Sequence, residues 1–171
     1  MHFVPAVMCT AGWEIQRRDN KDGGMYTMMA AYKTIACDGE VIQWRYFADT
    51  TTSFRAIIWR HYGGTQYQII GLNDITPTSN EVGREVTFDV PPGDRIAVKT
   101  GDVIGWSSVG GVISWTNVQA NVYGIYDNVV RWSQYYPSSL DAHHVYDLYS
   151  ASSGWGYREY SIQAVVQDTV D

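Results

Sequence analysis

One run of sixteen residues does most to limit what this chain can fold into: Pro91-Pro92-Gly93-Asp94-Arg95-Ile96-Ala97-Val98-Lys99-Thr100-Gly101-Asp102-Val103-Ile104-Gly105-Trp106. Pro-Pro-Gly-Asp is a turn. Arg95 to Lys99 alternates, with Ile96 and Val98 set between Arg95, Ala97 and Lys99. Lys99 to Asp102 turns again, and Val103-Ile104 resumes an apolar segment that ends at Trp106. Alternation bounded by Gly, Pro and Asp marks half-buried antiparallel strands. The run predicts a β-sandwich and carries no catalytic chemistry.

The same pattern recurs along the chain. Val41 to Ala48 alternates, with Ile42, Trp44 and Tyr46 on one side and Gln43, Arg45 and Phe47 on the other. Phe54 to Arg60, Gln66 to Leu72 and Arg84 to Val90 read as further strands. Thr50 to Ser53 and His61 to Thr65 are turns, and Asn73 to Gly83 is a loop. Val112 to Trp115, Asn121 to Val130 and Tyr160 to Val166 complete the reading. Residues 1–34 are the hardest to read: a polar loop at Arg17 to Gly24, then Met25 to Tyr32 as a strand. Regularly spaced short strands with turn signals predict an all-β, antiparallel β-sandwich of jelly-roll-like form, with about eight to ten strands and little or no helix. The 171 residues read as one domain.

Composition bounds the function classes. Hydrophobic residues make up 45% of the chain, enough for a real core, and charged residues only 18%, which argues against disorder. A net charge of −6 and an isoelectric point near 5.0 argue against nucleic acid and anionic membranes as partners. No apolar stretch approaches a membrane span. The first residues lack the basic and long apolar regions of a signal peptide, so the start reads as that of a domain from a longer precursor. Cys9 and Cys37 are either one disulfide or two packed thiols. A bridge would close a loop of about thirty residues, worth about 3–4 kcal/mol.

Several stretches together resemble a known module. They are Cys37-Asp38-Gly39, Trp44 to Ala48, Phe54 to Arg60, Tyr67 to Gly71, Val90 to Val98 and Gly101 to Trp106. This set, across residues 35–115, resembles a β-sandwich module of large multidomain extracellular and adhesion proteins of marine invertebrates. The resemblance implies a sandwich fold, an extracellular setting and a role in adhesion. The Gly-Asp-x-Ile rhythm is also similar to jelly-roll heads of the TNF type, which implies a trimer as an alternative. From Asn117 onward the chain departs from the pattern.

Candidate binding residues are aromatic. Arg131, Trp132, Tyr135 and Tyr136 lie with Ser133, Gln134 and Pro137, and Trp155 and Tyr157 lie among Ser152, Ser153, Gly154 and Gly156. Flat rings beside amides and hydroxyls suit the apolar face of a sugar; the competing reading is that they cap the sandwich core. Candidate metal ligands are fewer. Asp141, His143 and Asp147 fall two or four apart and would share a face of a strand, in a pattern suited to zinc or manganese. Asp19-Asn20-Lys21-Asp22-Gly23-Gly24 resembles a calcium loop through Asp19 and Asp22, although Arg18 stands at the first ligand position. Asn73 with Asp74, or Asp38 with Glu40, are other oxygen donors for calcium. A solvated strand face and a plain turn are the competing readings of these acids.

No Gly-x-Ser-x-Gly, His-Glu-x-x-His or phosphate loop occurs. Glu14, Glu40, Glu81, Glu85 and Glu159 supply carboxylates, but nothing selects a glycosidase pair among them. The sequence therefore predicts a non-catalytic extracellular module that binds a glycan or an extracellular protein, with calcium as the candidate cofactor. A structural homo-oligomer and a polysaccharide-acting enzyme on a jelly roll are the alternatives.

Overall fold

The structure, a computed structural model, describes residues 6–118, 128–150 and 153–169. Among these residues there are thirteen strands: β1 (Met8–Gly12), β2 (Tyr26–Thr34), β3 (Gly39–Phe47), β4 (Phe54–Gly63), β5 (Gln66–Ile75), β6 (Glu85–Asp89), β7 (Ile96–Val98), β8 (Val103–Ser108), β9 (Trp115–Asn117), β10 (Val129–Ser133), β11 (Val145–Asp147), β12 (Ser153–Tyr160) and β13 (Ile162–Asp168). The helical content of the described residues is two short 3-10 turns, Pro92–Asp94 and Pro137–Ser139.

Two antiparallel sheets pack face to face. The smaller has the order β1-β13-β3-β6, with β7 also on β3; the larger runs β11-β5-β4-β8-β2-β10-β12-β9. The fold is an all-β antiparallel sandwich, as the alternation predicts. The chain passes between the sheets from β1 to β2 to β3, then to the β4–β5 hairpin, to β6, to β8 and finally to β13. That alternation is the winding of a jelly roll. The segment between β8 and β13 is added to this frame. It places β10, β12 and β9 at one edge of the larger sheet and β11 at the other.

The larger sheet is buried on both faces over its middle. Its inner face contributes Met28, Ala56, Ile58 and Trp106 to a core shared with Trp44, Tyr46 and Ile162 of the smaller sheet. Its outer face carries Met29, Ile57, Trp59, Ile69 and Val103 beneath Leu140 and Leu148. Double burial explains the unbroken apolar run Ala56-Ile57-Ile58-Trp59, since a strand covered on both sides loses its alternation. Trp59 lies across Gly105, where an added Cβ would stand 2.3 Å from the indole nitrogen. That nitrogen donates to the Met28 carbonyl at 3.2 Å.

The opening run folds as its letters indicate. Gly101 turns at φ +96°. The buried Asp102 accepts from Arg60 Nε at 2.7 Å, Arg60 Nη2 at 2.8 Å and the Lys99 backbone N–H at 2.8 Å. Cys9 of β1 and Cys37, ahead of β3, form a disulfide, which resolves the two readings of the cysteines. Such a bond fits an oxidising compartment. Among the described residues, no helix is long and apolar enough to cross a membrane.

Several expectations are corrected. In β3 the register against β13 shifts beside Ile42, so Val41, Trp44 and Tyr46 face the core and Ile42 is only partly covered. A bulge moves the phase by one residue. The β4–β5 hairpin runs through both segments read as turn or loop ends, to Gly63 and to Ile75, and closes on Gly64 at φ +55°. The stretch Ser153 to Tyr157, which the sequence reading leaves outside its strands, belongs to strand β12. Asp141 and His143 do not share a strand face with Asp147. Only Val145–Asp147 is strand, and His143 sits in the preceding turn at φ +69°. Most of Asn121 to Val130 lies outside the described residues.

Candidate functional site

Strand β12 separates the candidate residues by its two faces. Gly154, Gly156, Arg158 and Tyr160 alternate on the side of the inter-sheet core; Trp155, Tyr157 and Glu159 alternate on the other. Trp132 of β10 pairs with Gly154 and lies against the two glycines. The Arg158 guanidinium then covers Trp132, 4.3 Å from its ring centroid, and stands 3.8 Å from that of Trp115. An arginine between two indoles is a desolvated cation–π stack.

This stack ends in a half-buried acid, Asp22. Arg158 Nη1 donates to Asp22 Oδ1 at 3.3 Å and to the Tyr160 hydroxyl at 3.1 Å, and Tyr160 donates to Asp22 Oδ2 at 3.0 Å. Burial raises the Asp22 carboxyl above its usual range, against the hydrogen bond from Tyr160, the charge of Arg158 and the nearby Trp115 indole. The Trp115 Nε1–H is buried and makes no well-formed hydrogen bond. A cleft of about 210 Å³ opens beside Asp22, Tyr26 and Trp132. Thus two residues expected in separate sites, Asp22 and Trp132, meet here. Asp22 spends its carboxylate on Arg158 and Tyr160, and the Trp132 ring is covered by Arg158 and glycine backbone.

The opposite face of the same strands is open. Trp155 is 54% exposed, while Trp13, Trp44, Trp59 and Trp106 are buried and Trp115 and Trp132 half-buried. Trp155 is the cross-strand partner of Arg131 on β10. Tyr157 meets the Trp155 ring edge-on at 5.4 Å. The Arg131 guanidinium lies 3.2 Å from the Tyr149 ring centroid. Tyr149 in turn stacks parallel to Tyr67 at 6.4 Å. Burial chiefly, then the neighbouring Tyr149, pushes the Tyr67 hydroxyl up to about 12, with Arg131 acting the other way. Arg131 and the pair Trp155 and Tyr157, which come from two separate stretches of the sequence, are thus brought together on adjacent strands.

Tyr135 and Tyr136 diverge. Tyr135 packs into the outer cluster against Tyr146 at 5.2 Å, and its hydroxyl donates to the Asp147 carbonyl at 3.1 Å. Tyr136 is 61% exposed and borders a groove of about 570 Å³ with Pro137, Val109, Ser53 and Thr76. Arg55 anchors the groove's floor by donating to Asp74 Oδ1 at 2.8 Å and to the carbonyls of Pro137 and Leu140 at 2.9 and 2.8 Å.

The remaining acids serve loops. Asp147 Oδ1 accepts from the Tyr149 backbone N–H at 2.8 Å, and the Asp141 N–H donates to the Tyr146 hydroxyl at 2.9 Å. His143 donates its backbone N–H to Ile69 and accepts from Gln68 through its carbonyl. Asp19 is exposed. Among the described residues, no three His, Cys, Asp or Glu side chains converge in a group that could hold a metal ion. Asp38 accepts from the Thr100 N–H at 2.8 Å and hydroxyl at 3.0 Å, which holds its carboxyl below the usual range.

Arg158, Trp115 and Tyr149 were missed as site residues. Alternation in Gly154-x-Gly156-x-Arg158-x-Tyr160 is the signal that places Arg158; Trp115 and Tyr149 have no local one. Compared with family models, with curated proteins and with solved structures, the chain matches none.

Proposed function

We propose that this domain is a non-catalytic recognition module that acts outside the cell and binds carbohydrate through the face around Trp155, in adhesion or matrix assembly. One observation carries the reading. Of seven tryptophans, Trp155 alone ranks among the exposed large side chains, and it stands on a paired strand, braced by Tyr157. Exposing an indole gives up about 2–3 kcal/mol of burial, so a fold that packs its other tryptophans leaves this one out at a cost. A flat ring on a rigid strand needs no ordering when a sugar ring stacks on it. The disulfide and the resemblance to adhesion-protein modules support the extracellular setting.

The test is a broad glycan array, run with calcium and with chelator, on the wild type and Trp155→Ala. The reading expects glycan binding that Trp155→Ala abolishes while the melting temperature holds. Unchanged affinity in the variant would remove the stacking face. Loss of binding on chelation would add calcium as a cofactor.

The exposed Tyr62, Tyr136 and Trp155 also favour a second reading, a structural homo-oligomer joined through aromatic surfaces. Sedimentation separates the two: a concentration-independent trimer supports the oligomer, and a monomer counts against it.

A further inference from the structure

We infer that the Trp155 face selects acidic sugars, those bearing a carboxylate or a sulfate, and that Arg131 is the residue that takes the anion. The inference rests on the carbohydrate reading above and adds the ligand class. It comes from how the arginines are spent. Arg18, Arg55, Arg60 and Arg158 each meet a carboxylate within ion-pair distance. Arg17, Arg45, Arg84, Arg95 and Arg131 meet none among the described residues, and of these five Arg131 is the cross-strand partner of Trp155. Its guanidinium is laid flat on Tyr149, 3.2 Å from the ring centroid. A stacked guanidinium keeps its N–H edges for a planar anion, and aromatic contact fixes its orientation in advance.

Geometry couples this cation to the open indole. Arg131 and Trp155 are direct partners on adjacent strands and project from the same face. Such partners have Cβ atoms about 5 Å apart. One pyranose ring stacked on Trp155 would therefore carry a ring substituent over β10, within reach of the guanidinium. Carboxylate and sulfate both match the two-pronged donor geometry of arginine. The acid nearest along β12, Glu159, is already held by Arg18 at 3.2 Å. The chain's net charge of −6 repels an acidic polymer at long range. At physiological ionic strength that repulsion is screened beyond about 8 Å, so the local contact decides.

The test uses polysaccharide pairs in which one member is charged and the other neutral: polygalacturonate and its methyl ester, alginate and its propylene glycol ester, dextran sulfate and dextran. Each is immobilised, and binding of the wild type, Arg131→Gln, Arg131→Lys and Trp155→Ala is measured at physiological salt. For at least one pair the wild type should bind the charged member about tenfold more tightly or better. Arg131→Gln should lose more affinity for the charged member than for the neutral one, and so bring the pair level. Arg131→Lys should keep part of the preference. Equal binding of both members by the wild type would overturn the acidic selection and leave the carbohydrate reading standing. Equal loss on both members in Arg131→Gln would show that Arg131 acts only by packing on Tyr149, and would also overturn it. Binding to no member of any pair overturns this inference, and failure across the broad array as well overturns the carbohydrate reading itself.

Discussion

Gly154 and Trp132 are cross-strand partners, and a Cβ added at Gly154 would stand 2.4 Å from the Trp132 indole nitrogen. The glycine is what lets the indole lie flat on β12, and the indole is what Arg158 covers. Gly154→Val should destabilise the domain by about 1–3 kcal/mol through overpacking. Because Trp155 is the next residue, the same change should weaken glycan binding as well. Urea unfolding and the glycan array on one variant check both effects; a Gly154→Val domain of unchanged stability would mean that Trp132 moves aside freely.

Cys9 and Cys37 lie 28 residues apart in the chain and tie β1 to the loop ahead of β3. Both cysteines pack at the margin of the core that holds Trp44, Tyr46 and Trp106, whose own members come from both sheets. The double variant Cys9→Ser/Cys37→Ser should fold with the same strand content and lose about 3 kcal/mol. For a domain of this size that is a fall of about 10 °C in melting temperature. Circular dichroism at low temperature and a thermal melt measure the two quantities separately.

Two carboxyls should pull the pH dependence of stability in opposite directions. Burial raises the Asp22 carboxyl above its ordinary value of 3.8, so between the two values the folded state binds the extra proton. Its contribution is therefore most favourable below the unfolded value and is lost as pH rises through the folded one. Asp38 is lowered from 3.8 by the Thr100 N–H and hydroxyl, so its contribution is present above the unfolded value and is lost as pH falls through the folded one. Wild type minus Asp22→Asn should thus fall with rising pH, and wild type minus Asp38→Asn should rise. Unfolding free energies across about pH 3 to 7 give both slopes; slopes of the same sign would contradict the assigned environments.

Where alternation is local, the fold is readable from the chain. Arg95 to Lys99 and Arg84 to Val90 each show one wet and one dry side, and each lies where its pattern predicts. Phase is lost where the backbone adds a residue, as beside Ile42, because a bulge leaves no mark in the letters. Strand β12 was misread because glycine breaks a strand pattern on average. Here Gly154 and Gly156 are strand residues that make room for Trp132, which comes from a different segment. The site shows the same division. Trp155 and Tyr157 are legible as flat rings among small polar residues, and that is local information. Pairing Trp155 with Arg131, and seating Arg158 between Trp115 and Trp132, depends on which strands become neighbours. That order, β2-β10-β12-β9, rests on contacts between residues far apart in the chain, such as Tyr160 with Asp22 at a separation of 138.

Trp132 and Trp155 lie on adjacent strands but on opposite faces of the sheet and should answer substitution in opposite ways. Trp132 is half-buried, packs against the inter-sheet core and is covered by Arg158. Trp132→Ala removes that packing and bares the Arg158 face, which should cost about 2–3 kcal/mol, below the roughly 3–5 kcal/mol of a fully buried tryptophan. Trp155 is 54% exposed and touches Tyr157 edge-on. Trp155→Ala should change stability by no more than about 0.5 kcal/mol, as for surface substitutions in general. Binding should reverse the order. Trp155→Ala should lose the glycan, while Trp132→Ala, measured at a temperature where it remains folded, should keep most of it because its ring does not reach the open face. Denaturation and array binding on the two variants form one crossed comparison. Loss of binding in Trp132→Ala with Trp155→Ala unaffected would move the site to the cleft beside Asp22.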